Sequence, residues 1–287
     1  MSHTTNPSYV TRLMKEWGFS TKKRFGQNFL IDQNIVERII SCANLQEDEW
    51  ALEIGPGLGA LTVHLARMAA HVLAMEIDTS LVAILRETVE NPKTTIWEGD
   101  ALEANWGNLL KEAGWRGQPL KLVANLPYYL TTPLVMKALE SGLPFTSMVV
   151  MVQKEVATRM LASPGSKDIG VLSFAVQYYA EGRLAMNVPR TVFLPAPAVD
   201  SAVVELKLRP PTVDAPRDAL FSVIRAGFGQ RRKTLRNSLR PLLDEWGIDS
   251  ETLDQAFLSV NLDPQIRAER LSLEDFSELT KQLLKGV

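Results

Sequence analysis

The chain has 287 residues, 31 Lys and Arg against 33 Asp and Glu, a formal net charge of −2, one cysteine and three histidines. That length fits about two domains with a core large enough to stand without disulfides or metal staples. Cys42 alone excludes an intramolecular disulfide, and His3, His64 and His71 without cysteine partners argue against a zinc cluster, so no metal is expected. A reducing, cytoplasmic setting is the natural expectation. The near-neutral charge does not by itself announce a nucleic-acid binder. The opening stretch, MSHTTNPSYVTRLMKEWGF, lacks the apolar core of a signal peptide, and the longest apolar run, Met148 to Val152, is far short of the roughly 20 residues that span a bilayer. A soluble protein with no membrane partner is expected.

A first helix is expected to begin near Gln33. From about Glu49 short apolar runs alternate with amphipathic stretches: WALEIG, LGALTVHLARMA, HVLAMEI, SLVAILRETV and TTIWEGD. That alternation predicts βαβ units and a parallel sheet. KLVAN and FTSMVVMVQ read as further strands, KEVATRMLA and GVLSFAVQYYA as helices, and RLAMNVP with SAVVELKL as a closing, hairpin-like pair. One α/β domain, residues 1–210, is therefore expected, followed by a proline-rich connection from Arg209 to Asp218. Residues 216–287 carry three-to-four-residue apolar spacing throughout and predict a small all-helical domain, with Ser250 and Ser272 as candidate N-caps.

The first strand runs into EIGPGLGALT, where Gly55, Gly57 and Gly59 let the chain turn sharply and bring a ligand close to backbone N–H groups. Glu76 ends the next strand, 21 residues after Gly55, where its carboxylate can accept from both hydroxyls of a ribose. Together they predict an adenosine-containing cofactor. The G-x-G-x-G spacing differs from the dinucleotide fingerprint, which argues against a nicotinamide-dependent dehydrogenase. Glu53, just before the loop, would repel a pyrophosphate but suits the cationic sulfonium and amino group of S-adenosylmethionine. Asp100, after the third strand, can accept from the adenine amine.

KLVAN continues into NLPYYLTTP. Methyl transfer is an in-line displacement, so the enzyme must chiefly position the nucleophile and shape its electronics. For an adenine N6, acceptors for its N–H protons push electron density back onto nitrogen. Asn125 offers a side-chain carbonyl, Pro127 biases Leu126 to an extended conformation that aims its carbonyl outward, and Tyr128 offers a face for a flipped base. Such stacking contributes about 1–3 kcal/mol, comparable with the few kcal/mol needed to unstack the base.

GQNFLID, EIGPGLGALT, EID, EGDAL, NLPYYLTTP, FLPAPAVDSAVV, FGQRRKTLRNSL and AERLSLEDF, in this order from Phe25 to Phe276, resemble the ribosomal RNA adenine N6,N6-dimethyltransferase family. The similarity is strongest to its bacterial small-subunit (16S) branch. The resemblance implies a Rossmann-like S-adenosylmethionine-dependent methyltransferase sheet, mostly parallel with seven strands, and a small all-helical C-terminal domain. It implies S-adenosylmethionine as cofactor, S-adenosylhomocysteine as product, and dimethylation of two adjacent adenosines in the 3′-terminal hairpin loop of 16S rRNA. The substrate would be that rRNA within a small ribosomal subunit or its precursor, and the protein a monomer. Gln27, Asn28, Leu30, Gly55, Gly57, Glu76, Asp100 and Asn125 would contact the cofactor. Asn125, Leu126, Pro127 and Tyr128 would form the adenine pocket, with Phe193 as a second aromatic wall. Where many relatives carry Asn or His after the motif tyrosine, this chain has Tyr129.

Between Arg225 and Arg240 lie six basic residues and no acidic one. Arg232, Arg236 and Arg240 fall at i, i+4 and i+8, and Leu235, Leu239 and Leu242 form a second stripe, which predicts an amphipathic helix with a cationic face. Arg231, Lys233 and the cluster Lys22, Lys23 and Arg24 extend the candidate phosphate-binding set. Two rival readings share the pocket motifs: the large-subunit (23S) relatives that confer macrolide resistance, and a non-enzymatic ribosome-assembly or RNA-binding factor.

Overall fold

A computed structural model describes residues 5–18, 27–230 and 232–285. Lys22, Lys23, Arg24 and Arg231 lie outside the described residues. In chain order the strands are β1 (Phe29–Leu30), β2 (Trp50–Ile54), β3 (His71–Glu76), β4 (Thr94–Glu98), β5 (Leu120–Asn125), β6 (Phe145–Gln153), β7 (Ala180–Val188), β8 (Phe193–Leu194) and β9 (Ser201–Leu208). The helices are α1 (Pro7–Glu16), α2 (Gln33–Ala43), α3 (Thr62–Met68), α4 (Thr79–Thr88), α5 (Trp106–Glu112), α6 (Thr131–Glu140), α7 (Lys154–Met160), α8 (Val171–Tyr179), α9 (Arg217–Gly229), α10 (Leu235–Trp246), α11 (Ser250–Ser259) and α12 (Leu273–Leu284).

Two compact units result: Met1–Ala157 with Glu181–Leu208, and Thr158–Ala180 with Arg209–Val287. In the first, β2 is buried along its whole length and β3 along nearly all of it, which is why both read as continuous apolar runs and not as alternating ones. The sheet order is β4-β3-β2-β5-β6-β9-β7. Strands β4, β3, β2, β5 and β6 run parallel, and β9 turns antiparallel against β6 from Ser147↔Lys207 to Gln153↔Ser201. The chain builds outward from β2 to β4, then returns to place β5 on the other flank of β2. The carboxyl ends of β2 and β5 thus border the crevice where open α/β sheets hold ligands. A separate two-stranded ribbon pairs β1 with β8 through Phe29↔Leu194 and Leu30↔Phe193.

Local chemistry fixes the ends of these elements. Asp32 caps α2 by accepting from the Ile35 N–H at 3.1 Å, so the helix begins at Gln33 as the sequence suggested. At its other end, the ammonium of Lys121 reaches the Ala43 and Asn44 carbonyls at 3.1 and 2.8 Å and the Glu49 carboxylate at 2.7 Å. The cation, buried on a central strand, thereby meets the negative end of a helix dipole and an ion partner together.

The second unit is all helix apart from its connections. Phe174 of α8 meets Phe276 of α12 edge-on at 5.1 Å, and Tyr178 meets Phe221 of α9 at 5.3 Å. Helix α8 therefore groups with the helical unit, whereas the sequence suggested that everything up to residue 210 was one domain; its apolar face is completed by aromatic residues far along the chain. Ser272 caps α12 through a reciprocal box with Asp275. Ser250 is not the cap of α11: Asp249 is, its carboxylate accepting from the Thr252 N–H at 2.8 Å and adding a negative charge at the helix's positive end.

Candidate active site at the carboxyl ends of the parallel strands

After β2 the chain turns through Gly55 and Gly57 with φ of +68° and +59°, a region that favours glycine. A Cβ at Gly57 would stand 3.2 Å from the ring of Phe29, so the loop is roofed closely by β1. The carboxylate of Glu76 ties this loop to β3. Its Oε2 accepts from the Gly57 N–H at 3.2 Å, and its Oε1 accepts from the N–H groups of Ile77 and Asp78, each at 3.0 Å. Burial raises the affinity of Glu76 for a proton, and these three N–H donors work against that rise.

Glu53 has no such set of donors. It is 1% exposed, and its Oε2 has no well-formed hydrogen bond among the described residues, although the Thr62 hydroxyl faces the carboxyl. Burial pushes the Glu53 carboxyl up to about 8, the Thr62 hydroxyl working against the rise and the charge of Glu76 adding to it.

At the end of β5, Leu126 donates its N–H to the Met151 carbonyl at 3.1 Å, and the Pro127 carbonyl receives the Leu130 N–H and the Thr131 hydroxyl at 3.0 and 3.1 Å. The Asn125 amide donates at 3.5 Å to the Asn28 carbonyl, which turns Oδ1 away from that contact. Residues 128–130 form a single 3-10 turn before α6. It holds Tyr128 half-buried, its phenol sharing a 2.6 Å hydrogen bond with Ser201, and leaves Tyr129 48% exposed. Asp100 accepts from the Leu102 N–H at 2.8 Å within the turn after β4. Lys137 of α6 fastens the same turn by donating to the Leu102 and Ala104 carbonyls.

These elements enclose a cavity of about 1060 Å³ including its mouth. Gln27, Asn28, Leu30, Gly55, Gly57, Glu76, Asp100, Asn125, Leu126, Pro127 and Tyr128 all line it, as do Glu53 and Tyr129. Phe193 does not. Its ring is 2% exposed within the core cluster that includes Val36 and Ile40, because pairing of β8 with β1 turns it inward. Sequence reasoning did not find Ser201, Lys137 or Asp78, whose carboxylate receives the Gln27 amide at 2.8 Å. Ser201 and Asp78 fall within the motifs FLPAPAVDSAVV and EID, but their roles show only in spatial neighbourhood.

The chemistry of this lining fits S-adenosylmethionine. An orphaned, buried carboxyl oxygen suits a cation, the glycine turn leaves room that a Cβ would fill, and Glu76 retains acceptor capacity for a diol. Among the described residues no group of three or more His, Cys, Asp or Glu could hold a metal ion, and no helix is long and apolar enough to cross a membrane.

A family model described as ribosomal RNA adenine dimethylase matches residues 18–285. The chain belongs to this family. As a ribosomal RNA adenine dimethylase it is an S-adenosylmethionine-dependent methyltransferase with a Rossmann-like fold, as the sequence motifs implied. It is 45% identical to the "Ribosomal RNA small subunit methyltransferase A" of Bacillus mycoides (strain KBAB4) and, equally, of Bacillus anthracis (strain CDC 684 / NRRL 3495). Each match covers 99% of this chain and 98% of the relative. A dimethyladenosine transferase from Plasmodium falciparum shares the fold, with a TM-score of 0.73 and 24% identity over 89% of this chain and 97% of that one. The 23S rRNA methyltransferase ErmE superposes with a TM-score of 0.65 and 25% identity over 89% of this chain and 99% of that one.

In this dimethylase the cationic stripe expected over residues 232–240 is not one helix face. Helix α10 starts only at Leu235, capped by Thr234, so Arg232 and Lys233 sit in the preceding turn. Arg236 is engaged in a two-point ion pair with Asp254, Nε to Oδ1 at 2.6 Å and Nη2 to Oδ2 at 2.8 Å. The inward stripe is Leu235, Leu239 and Leu243, with Leu242 only half-buried, since four-residue steps track a straight helix better than the three-residue step to Leu242. Arg225, Arg232, Lys233 and Arg240 are exposed.

Proposed function

We propose that this protein dimethylates N6 of two adjacent adenosines in the 3′-terminal hairpin loop of 16S rRNA, acting on a small ribosomal subunit or its precursor during subunit biogenesis. The observation that carries the reading is the shared cavity: the Asn125–Tyr128 turn and the carboxylates of Glu53 and Glu76 line the same space. The relatives at 45% identity are named for the small subunit, which favours that substrate over the large one.

Gln27, Asn28, Leu30, Gly55, Gly57, Glu76, Asp100 and Asn125 would hold the cofactor, Glu76 by its ribose and Asp100 by its adenine amine. When bound, S-adenosylmethionine supplies an electrophilic methyl group and leaves as S-adenosylhomocysteine. The protein's part is to place the nucleophile. Oδ1 of Asn125 and the Leu126 carbonyl would accept the two N6 protons, keeping the nitrogen lone pair available and aimed. Tyr128, its ring fixed through Ser201, would stack on the flipped adenine and offset its extrusion cost. After one methylation a single N–H remains for one acceptor, so the same arrangement serves the second transfer.

The first unit would carry catalysis, and residues 216–287 would carry RNA binding through Arg232, Lys233 and Arg240, with Arg231, Lys22, Lys23 and Arg24 as further phosphate contacts. The protein would work as a cytoplasmic monomer. Nucleoside mass spectrometry after incubation with S-adenosylmethionine and unmethylated small subunits, large subunits or naked RNA tests the proposal. Dimethyladenosine should appear with small-subunit particles and vanish in Asn125→Ala. Product on large subunits instead would overturn the substrate, and product in no sample would favour an assembly or binding role.

A further inference from the structure

Glu53 sits at the end of β2 with its side chain in the cavity wall, yet its Oε2 meets no donor among the described residues. The other carboxylates on that wall are Glu76 from β3 and Asp100 after β4. From β5 and its following turn come Asn125, Leu126 and Pro127, all uncharged, and from α3 the facing group is the Thr62 hydroxyl. Gln27 and Asn28 on the β1 side are neutral, and burial raises the Tyr128 phenol further above its ordinary range. An ionised Glu53 would therefore place a desolvated negative charge beside other negative charges, with only the Thr62 hydroxyl to offset it. Glu76 tolerates ionisation because three N–H groups point at it; Glu53 has no equivalent.

We propose that Glu53 is a proton-exchanging counter-ion for the positively charged end of the cofactor: protonated in the free protein, it releases its proton to solvent as the cation enters and recovers one as the cavity empties. The balance is simple. The O–H bond of the carboxyl breaks, the proton goes to water or buffer, and the carboxylate so formed pairs with the incoming charge. The inference rests on S-adenosylmethionine as the cofactor. It adds that cofactor and proton compete for Glu53, so that affinity tightens about tenfold per pH unit between pH 6 and the apparent pKa of the group and levels off above it. Burial, which pushes that group up to about 8, puts physiological pH inside the sensitive range.

Two positive groups are available to it, the sulfonium and the α-ammonium, and ligands separate them. S-adenosylhomocysteine keeps the ammonium alone, and 5′-methylthioadenosine has neither charge. Titration calorimetry of the full chain at pH 7, in two buffers of different ionisation enthalpy, reads protons released per ligand bound. About one proton should leave with S-adenosylmethionine, none with 5′-methylthioadenosine, and Glu53→Gln should abolish the release. Release with S-adenosylhomocysteine names the ammonium as partner; its lack names the sulfonium. S-adenosylmethionine binding without release, or with equal release in wild type and Glu53→Gln, overturns the proposal while leaving the cofactor intact. No binding of S-adenosylmethionine at all would bring down the cofactor reading too. Should Glu53→Gln fail to fold, difference infrared spectroscopy on the wild type decides: the C=O stretch of a protonated carboxyl must disappear when S-adenosylmethionine binds, and its persistence refutes the exchange.

Discussion

The phenol of Tyr128 and the hydroxyl of Ser201 share a 2.6 Å hydrogen bond although 73 residues separate them. Ser201 is fully buried at the start of β9, so a rigid strand sets the plane of an aromatic ring at the cavity wall. Tyr128→Phe and Ser201→Ala should each lower the single-turnover methylation rate about 3- to 10-fold, the equivalent of roughly 1 kcal/mol for one hydrogen bond. Combining them should cost little more, because either change removes the same bond. Additive losses would show that the two residues act separately.

Gly57→Ala combines an unfavourable φ of +59° with a methyl group 3.2 Å from the Phe29 ring. We expect a loss of about 1–2 kcal/mol in thermal stability and cofactor affinity weaker by about tenfold. Trimming the roof, with Phe29→Leu in the same chain, should recover part of the affinity but none of the backbone strain.

Lys137 holds the turn after β4 by two carbonyls, with its ammonium 5.3 Å from the centre of the Trp106 ring. Lys137→Met keeps the length and removes the donors. Asp100 then loses its fixed position, so the KM for S-adenosylmethionine should rise about 5- to 20-fold with kcat changed by less than about 3-fold. A fall in kcat at unchanged KM would contradict a positioning role.

Exposed and paired arginines should separate in a salt titration of RNA binding. Arg232→Ala with Arg240→Ala should weaken affinity and reduce the slope of log K against log salt by about 1 to 2, since each lost phosphate contact removes about 0.7–0.9. Arg236→Ala should leave the slope nearly unchanged and instead loosen the α10–α11 contact, because its guanidinium is already held by Asp254. A full slope change in Arg236→Ala would mean that RNA displaces Asp254.

Glu53 also shapes stability in the absence of ligand. Its folded-state pKa lies above the unfolded value near 4.5, at about 8, so the folded chain binds the extra proton. The associated stability is fully present below pH 4.5 and is lost as pH rises through 8. Glu53→Gln should remove this dependence, melting higher than wild type at pH 9 by an amount worth on the order of a few kcal/mol and differing least near pH 5. Parallel melting curves for the two proteins across that range would refute it.

The parallel strands were legible because burial on both faces leaves uninterrupted apolar runs such as VLAM in β3, and the site lay at their carboxyl ends where Gly55, Glu76 and Asn125 punctuate them. Phe193 was misread because a two-residue strand has no period to show which way a ring points. The arginine stripe failed at Arg232, because Thr234, an ordinary capping residue, makes the helix begin only at Leu235, three residues later than the charge spacing suggested. Ser201 and Asp78 lie inside the motifs FLPAPAVDSAVV and EID without showing their roles, and Lys137 carries no signal at all: each acquires its meaning from partners 73, 51 and 33–35 residues away.

Among the described residues, those lining the cavity come from the β1 segment, the strand ends, the loops that carry those strands into helices, or the helices themselves; the connections that bring the chain back to the next strand contribute none. Arg116 in the return before β5 and Ser141 in the return before β6 are exposed. Those two turns are therefore the natural anchoring points for a dye or a surface tether. An immobilised protein held there would keep its cavity mouth unobstructed, which makes single-particle observation of ligand exchange a practical experiment.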